Sequence, residues 1–153
     1  MLNPKEYSTT GNQEIDGVLN YMLQKANKTL NQVDVQINIP EDLYFNNFNI
    51  CVILGNLVDN AVREASKSKE KLLTIKMQIK QEVLLIFIEN SYSGKILEKR
   101  NGLQTTQPEL AIHGIGLENV KKVVIANGGE IKIDYTSNRF CVQVLLYMSR
   151  IKN

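Results

Sequence analysis

Asn49, Asn56, Asn60, Arg63 and Lys67 succeed one another at steps of seven, four, three and four, in a segment otherwise rich in Ile, Leu, Val and Ala. Those steps put all five on one face of a helix. Asparagine is a poor helix former, because its side chain competes for backbone hydrogen bonds. Two of them one turn apart among apolar neighbours cost stability unless a polar partner satisfies them. An amide oxygen is also a good neutral ligand for Mg²⁺, a hard cation that keeps several waters and draws on substrate phosphates for the rest of its shell. A solvated stripe on an ordinary core helix would carry the same residues, and this helix alone leaves both readings open.

Two further segments have chemical potential. His113-Gly114-Ile115-Gly116-Leu117 joins a polar stretch to the start of a helix. Glycines there let the backbone approach a ligand closely, and the free N–H groups of a helix N-terminus favour phosphate. A lone G-x-G is common at loop-to-helix junctions. His113 is the only histidine in the chain, so it builds no metal site alone, and contact with a nucleotide suits it better than catalysis. Ile86-Phe87-Ile88-Glu89-Asn90-Ser91 alternates and ends in polar groups. A side chain at such a strand end can read a base edge, although strands often end this way with no ligand at all.

These segments need elements to position them. Ile15, Val18, Leu19, Met22, Leu23, Ala26 and Leu30 keep helical steps of three and four, and predict a first amphipathic helix. Val33 to Ile39 alternates apolar and polar, a half-buried strand ended by Pro40. The asparagine-bearing helix runs from about Asn46 to Lys67. Leu72 to Ile79 and Val83 to Glu89 read as strands joined by Lys80-Gln81-Glu82. Residues 91–113 keep neither period, and so long a connection inside a compact domain is expected only where it is functional, as in a lid. A third helix, about Leu117 to Ala126, stops at Asn127-Gly128-Gly129. Glu130 to Tyr135 and Phe140 to Tyr147 close as a hairpin turned at Ser137-Asn138. The order predicts an α/β (α+β) two-layer sandwich, a mixed sheet covered on one face by about three helices. Residues 1–13 read as a leader or linker and 14–153 as one domain.

The bulk properties are those of a soluble domain. The 153 residues are 43% apolar and 22% charged, with a net charge of +2, which leaves no electrostatic footprint for nucleic acid or an anionic membrane. No apolar run is long enough to span a bilayer, and the first residues lack the apolar stretch of a secretory signal. Cys51 and Cys141 lie far apart among apolar neighbours and read as small core residues in a reducing, cytoplasmic setting.

Taken together and in this order, the segments resemble the Bergerat (GHKL) nucleotide-binding fold of DNA gyrase, Hsp90, MutL and the histidine kinases. Asn56-Leu57-Val58-Asp59-Asn60-Ala61 is similar to the N box of histidine kinases. Ile88-Glu89-Asn90-Ser91-Tyr92-Ser93-Gly94 is similar to a reduced first G box, and His113 to Val120 to the second. The style is closest to the peptide-pheromone, quorum-sensing kinases. The resemblance implies that Asn60 coordinates the Mg²⁺ bridging the phosphates of ATP, with Asn56 supporting phosphates and metal-bound water one turn earlier. It places Arg63 near the terminal phosphate and Asn90 where the family reads adenine with an aspartate. Gly94, His113, Gly114, Ile115, Gly116 and Leu117 would shape the nucleotide pocket, with residues from about 92 to 113 as the ATP lid. Three departures stand out: Asn90 in place of the aspartate, Tyr92 in place of the first glycine of its box, and only a faint echo of an F box at Thr105-Thr106-Gln107.

Within that fold the residue at 56 discriminates. ATPases carry a glutamate there as general base, and asparagine has no useful proton affinity. The resemblance therefore implies phosphoryl transfer to a histidine on a separate dimerisation domain preceding this one in the same kinase, a response regulator acting downstream, and a monomeric, nearly inactive domain in isolation. It also implies a place at the cytoplasmic end of a membrane-bound sensor. The competing expectations are a docking module of the same fold that has lost ATP, and an anti-sigma-type serine kinase, which usually keeps the glutamate.

Overall fold

The computed structural model of the chain describes residues 10–40, 47–93 and 115–147. Helix α1 (Gln13–Thr29) starts at Asn12, whose side chain accepts from the Ile15 N–H and so satisfies one of the donors every helix start leaves unpaired. Asp16 in its first turn accepts in addition from the backbone N–H groups of Thr10 and Gly11. Strand β1 (Gln32–Asn38), helix α2 (Asn47–Lys67), strands β2 (Leu72–Lys80) and β3 (Val83–Ser91), helix α3 (Ile115–Ala126) and strands β4 (Glu130–Tyr135) and β5 (Arg139–Tyr147) follow.

The five strands form one mixed sheet in the order β1-β2-β3-β5-β4. β1 and β2 are parallel, a pairing that requires a crossover, and α2 is that crossover. The other pairs are antiparallel. Alternation along β2, β3 and β5 sends Ile75, Met77, Leu84, Ile86, Val142 and Val144 to one face, where they are buried beneath the three helices. α2 is the central helix of that layer, with Ile50, Ile53, Leu54, Leu57, Val58 and Ala61 packed into the core. The architecture is the two-layer sandwich expected, with three helices on one face of a mixed sheet.

Two differences from the sequence pattern bear on the site. β3 extends past Glu89 to Ser91, because Asn90 pairs with Leu73 on one side and Phe140 on the other. The ladder is a backbone property and continues beneath a polar side chain. Helix α3 starts at Ile115, so Gly116 lies in its first turn. It ends where Asn127-Gly128-Gly129 predicts, with the Gly128 N–H on Ile125 O and the Gly129 N–H on Val124 O. Gly128 has φ of 73°, and a Cβ on Gly129 would fall 2.4 Å from Leu145 O, so both glycines are required there.

Candidate functional site

Helix α2, strands β3 and β5 and the first turn of α3 meet around a cleft. Leu57, Asn60 and Ala61 line it from α2, Ile88 and Asn90 from β3, Phe140 and Val142 from β5, and Leu117 from α3. The space is small, with an empty volume of about 220 Å³, and it sets apolar walls against two convergent amides, the lining chemistry of a flat ring that carries a few hydrogen-bonding atoms. Three residues singled out from the sequence, Asn60, Asn90 and Leu117, come together in this lining, although 27 or more residues separate each from the next.

The two amides can be oriented by chemistry alone. Asn90, which is 3% exposed, sits 2.9 Å from the Ser91 carbonyl oxygen. A carbonyl only accepts, so the Asn90 atom facing it must be the Nδ2 donor. Its Oδ1 makes no hydrogen bond among the described residues and is the atom left for a ligand donor. Asn60, 4% exposed, is bonded by the Arg63 guanidinium, which has donors only, so Asn60 faces Arg63 with Oδ1. Its Nδ2 is then left buried without a partner among the described residues. A buried, unsatisfied donor costs about 1–3 kcal/mol, and nearly all such groups in native proteins are paired. An orphan amide in the wall of a cleft is what a ligand site predicts and what a plain core helix does not.

Asn56 and Arg63 stand outside that lining. Asn56 is half-buried one turn before Asn60, and its Nδ2 donates to the Val52 carbonyl at 2.9 Å, so its Oδ1 remains available. Arg63 is exposed, with Nη1 on Asp59 Oδ2 at 2.9 Å. The helical stripe is therefore graded: Asn49 and Asn56 half-buried, Asn60 buried, Arg63 and Lys67 exposed. Only Asn60 turns fully into the protein. Ile115 and Gly116 lie at the N-terminus of α3, next to Leu117. Gly94, His113, Gly114 and the expected lid beyond Ser93 lie outside the described residues.

Tyr92, an oddity in the sequence, has a structural role. It is buried, its hydroxyl donates to Thr136 O at 2.7 Å, and its ring meets Phe140 edge-on with centroids 5.7 Å apart. Phe140 is also stacked with Tyr135. Tyr92 thus fastens the end of β3 to the β4–β5 hairpin and backs one wall of the cleft. Phe140 and Val142 themselves escaped the sequence reading. Nothing local marks them as site residues; only the antiparallel register that sets Phe140 opposite Asn90 brings them there.

Among the described residues, no group of three or more His, Cys, Asp or Glu could hold a metal ion. Burial pushes the Cys141 thiol up to about 11, with Glu89 and Asp134 adding to the effect, and burial with Glu14 also raises Cys51. Both are free cysteines and poor nucleophiles.

Residues 45–147 match the GHKL domain family. No curated protein matches the sequence. Among solved structures the chain is similar to the Acinetobacter baumannii histidine kinase AdeS, with a TM-score of 0.63 and 19% identity over 90% of this chain. It spans 64% of the length of that relative's chain. It is also similar to the mycobacterial sensor histidine kinase MprB, with a TM-score of 0.60 and 16% identity over 87% of this chain and 95% of that one. At such identities the likeness is one of fold.

Proposed function

The chain belongs to the GHKL domain family, and from that premise we propose that it binds ATP with Mg²⁺ and acts as the catalytic domain of a sensor histidine kinase. The single observation that carries the proposal is the pair of buried amides, Asn60 and Asn90, converging on an apolar cleft with one donor orphaned. The adenine ring would lie between Ile88, Leu117, Phe140 and Val142, and its exocyclic amino group would donate to Asn90 Oδ1. An amide accepts that hydrogen bond without a charge, which supports modest affinity. The phosphates would run toward the first turn of α3, at Ile115, Gly116 and Leu117, where helix geometry leaves N–H groups without partners inside the helix. Gly94, His113 and Gly114 complete the pocket in this reading.

Mg²⁺ supplies charge neutralisation for the transferring phosphoryl group, and Asn60 and Asn56 are the residues of this chain that would hold it. Their amide oxygens are the right donor type: Asn56 turns its nitrogen to the Val52 carbonyl and leaves its Oδ1, and Asn60 Oδ1 is bonded by Arg63. Neither amide serves as a general base, so activation of water is absent from this part of the site. That favours transfer to a positioned side chain over hydrolysis. The acceptor would be a histidine on a dimerisation domain of the same kinase, with a response regulator downstream and no nucleic acid involved. None of the described helices is long and apolar enough to cross a membrane, which accords with a catalytic domain at the cytoplasmic end of a sensor. The likeness to peptide-pheromone kinases rests on the reduced first G box around Asn90 and Tyr92, and remains part of this proposal.

Calorimetric titration with ADP or a non-hydrolysable ATP analogue tests the reading. Binding that tightens with Mg²⁺ and disappears in Asn60→Ala supports it. A folded chain that takes up no nucleotide at millimolar concentration overturns it and leaves the fold as a docking module.

A further inference from the structure

We propose that the Arg63 guanidinium and the divalent cation compete for one atom, Asn60 Oδ1, so that Arg63 sets how strongly nucleotide binding depends on metal. The inference rests on the nucleotide-site reading above and adds to it a role for Arg63 before any phosphate arrives. Three observations carry it. Arg63 Nη2 donates to Asn60 Oδ1, the only lone-pair atom of that side chain. The amide cannot turn over to offer a second choice, because its Nδ2 would then face five guanidinium donors. The other arm of the fork, Nη1, is held by Asp59 Oδ2 at 2.9 Å, so the cation is fixed between two acceptors on adjacent residues of α2.

A dication and a guanidinium repel too strongly at this range to share an amide oxygen. Metal entry must therefore break the Arg63–Asn60 bond. Arg63 keeps Asp59 when this happens, so the cost is confined to one charge-assisted hydrogen bond. The displaced guanidinium stays at the mouth of the site, where arriving phosphate oxygens offer it a new acceptor. Metal alone would find its ligand already taken. Metal with nucleotide would not, and the two should enter together.

The test measures ADP affinity by calorimetry, in EDTA and in saturating Mg²⁺, for the 153-residue chain and for Arg63→Met and Arg63→Gln. ADP lacks the terminal phosphate, which separates this role from contact with that phosphate. The readout is the ratio of the two affinities, the coupling between metal and nucleotide. Both variants are expected to raise the ratio about tenfold, the size of one hydrogen bond to a charged group. Adding Asn60→Ala to Arg63→Met should remove the gain in Mg²⁺ along with most of the binding. Melting curves check that each variant folds, with a small loss expected as Asp59 loses its ion pair and Asn60 Oδ1 its donor. ADP binding with an unaltered or smaller ratio in both variants overturns this inference alone. A folded parent that binds no ADP in either condition overturns the nucleotide reading together with it.

Discussion

Just past the C-terminal end of α2, Ser68 and the neighbouring Ser91 of β3 are buried as deeply as Asn60, two turns earlier in α2, and Asn90, one residue earlier in β3. The two pairs differ in how their atoms are used. Ser68 Oγ donates to Ala65 O at 2.7 Å, so the 2.7 Å contact between the hydroxyls must use the Ser91 proton. Ser68 Oγ then also accepts from the Lys71 N–H, and Ser91 Oγ from the Leu72 N–H at 2.9 Å. Every proton in that cluster has an acceptor. Among the described residues, Asn60 Nδ2 has no partner, and the one hydrogen bond of Asn90 uses its Nδ2. A closed network of buried polar groups fixes a structure, whereas an open one costs stability and keeps its place only through what it binds. The serines read as architecture and the asparagines as function, although both pairs connect the same helix to the same strand.

Replacing the orphan should break this contrast most sharply. Asn60→Leu keeps the side-chain volume roughly and removes a buried, unsatisfied donor. Nucleotide affinity should fall by more than about a hundredfold, the loss of a metal ligand together with desolvated contacts. Unfolding free energy should stay level or rise by about 1 kcal/mol. Calorimetry and urea denaturation on the same sample read the two effects. A variant that loses both binding and several kcal/mol would show that Asn60 is as structural as Ser68.

The serine cluster should respond in the opposite sense. Ser68→Ala strips the Lys71 N–H and the Ser91 hydroxyl of their partner and should cost about 2–3 kcal/mol. Ser91→Ala should cost a similar amount, and the double variant less than the sum, because the two hydroxyls form one network. Nucleotide affinity of the folded protein should not change. Urea midpoints for the four proteins of the cycle check it, and additive losses would show that the hydroxyls act independently.

The contrast between the pairs was only half visible in the sequence. Helical and strand periods place every described element to within about two residues, because α2, β2 and β3 carry unbroken patterns of the right length. Asn56 and Asn60 stand out, since asparagine in an apolar helix contradicts local propensity, and such conflicts gather at functional sites. Ser68 passes unnoticed, because serine at a helix end is ordinary. Phe140, Val142 and the register joining Asn90 to Phe140 are set by strand pairing across about fifty residues of chain, a relation that no local pattern encodes. The sharing of Asn60 Oδ1 with Arg63 is likewise a matter of rotamers, beyond what a three-residue step on a helix specifies.

Asn90→Asp restores the residue type expected at the strand end and tests why an amide stands there. Asn90 donates to the Ser91 carbonyl, and an ionised carboxylate in its place would set two acceptors face to face. The buried site disfavours the charged form, so the introduced carboxyl should have a raised pKa in the folded state. A raised acid pKa gives stability that is fully present below the unfolded value of about 4 and is lost as pH rises through the folded value. The variant should match the parent at pH 4 and fall about 1–2 kcal/mol below it at pH 8. Thermal melts across that range decide it, and a pH-independent difference would mean that the carboxylate finds a donor the amide does not use.

The smallest effect belongs to the outer side of α2, where Asp59 and Arg63 form an ion pair with side chains 50% and 47% exposed. The pair has the spacing that stabilises helices, and exposed pairs of this kind are worth about 0.3–0.5 kcal/mol. Asp59→Ala should therefore cost no more than that in urea denaturation, and less still in high salt, where exposed charges are screened. Its consequence for binding should be larger than its consequence for stability. Without Asp59 the guanidinium loses its second anchor, so release from Asn60 leaves it with water alone. If Asp59 served only the helix, the metal dependence of ADP affinity would be untouched. If it anchors Arg63 during metal entry, that dependence should weaken about two- to threefold, a change of well under 1 kcal/mol that calorimetry still resolves.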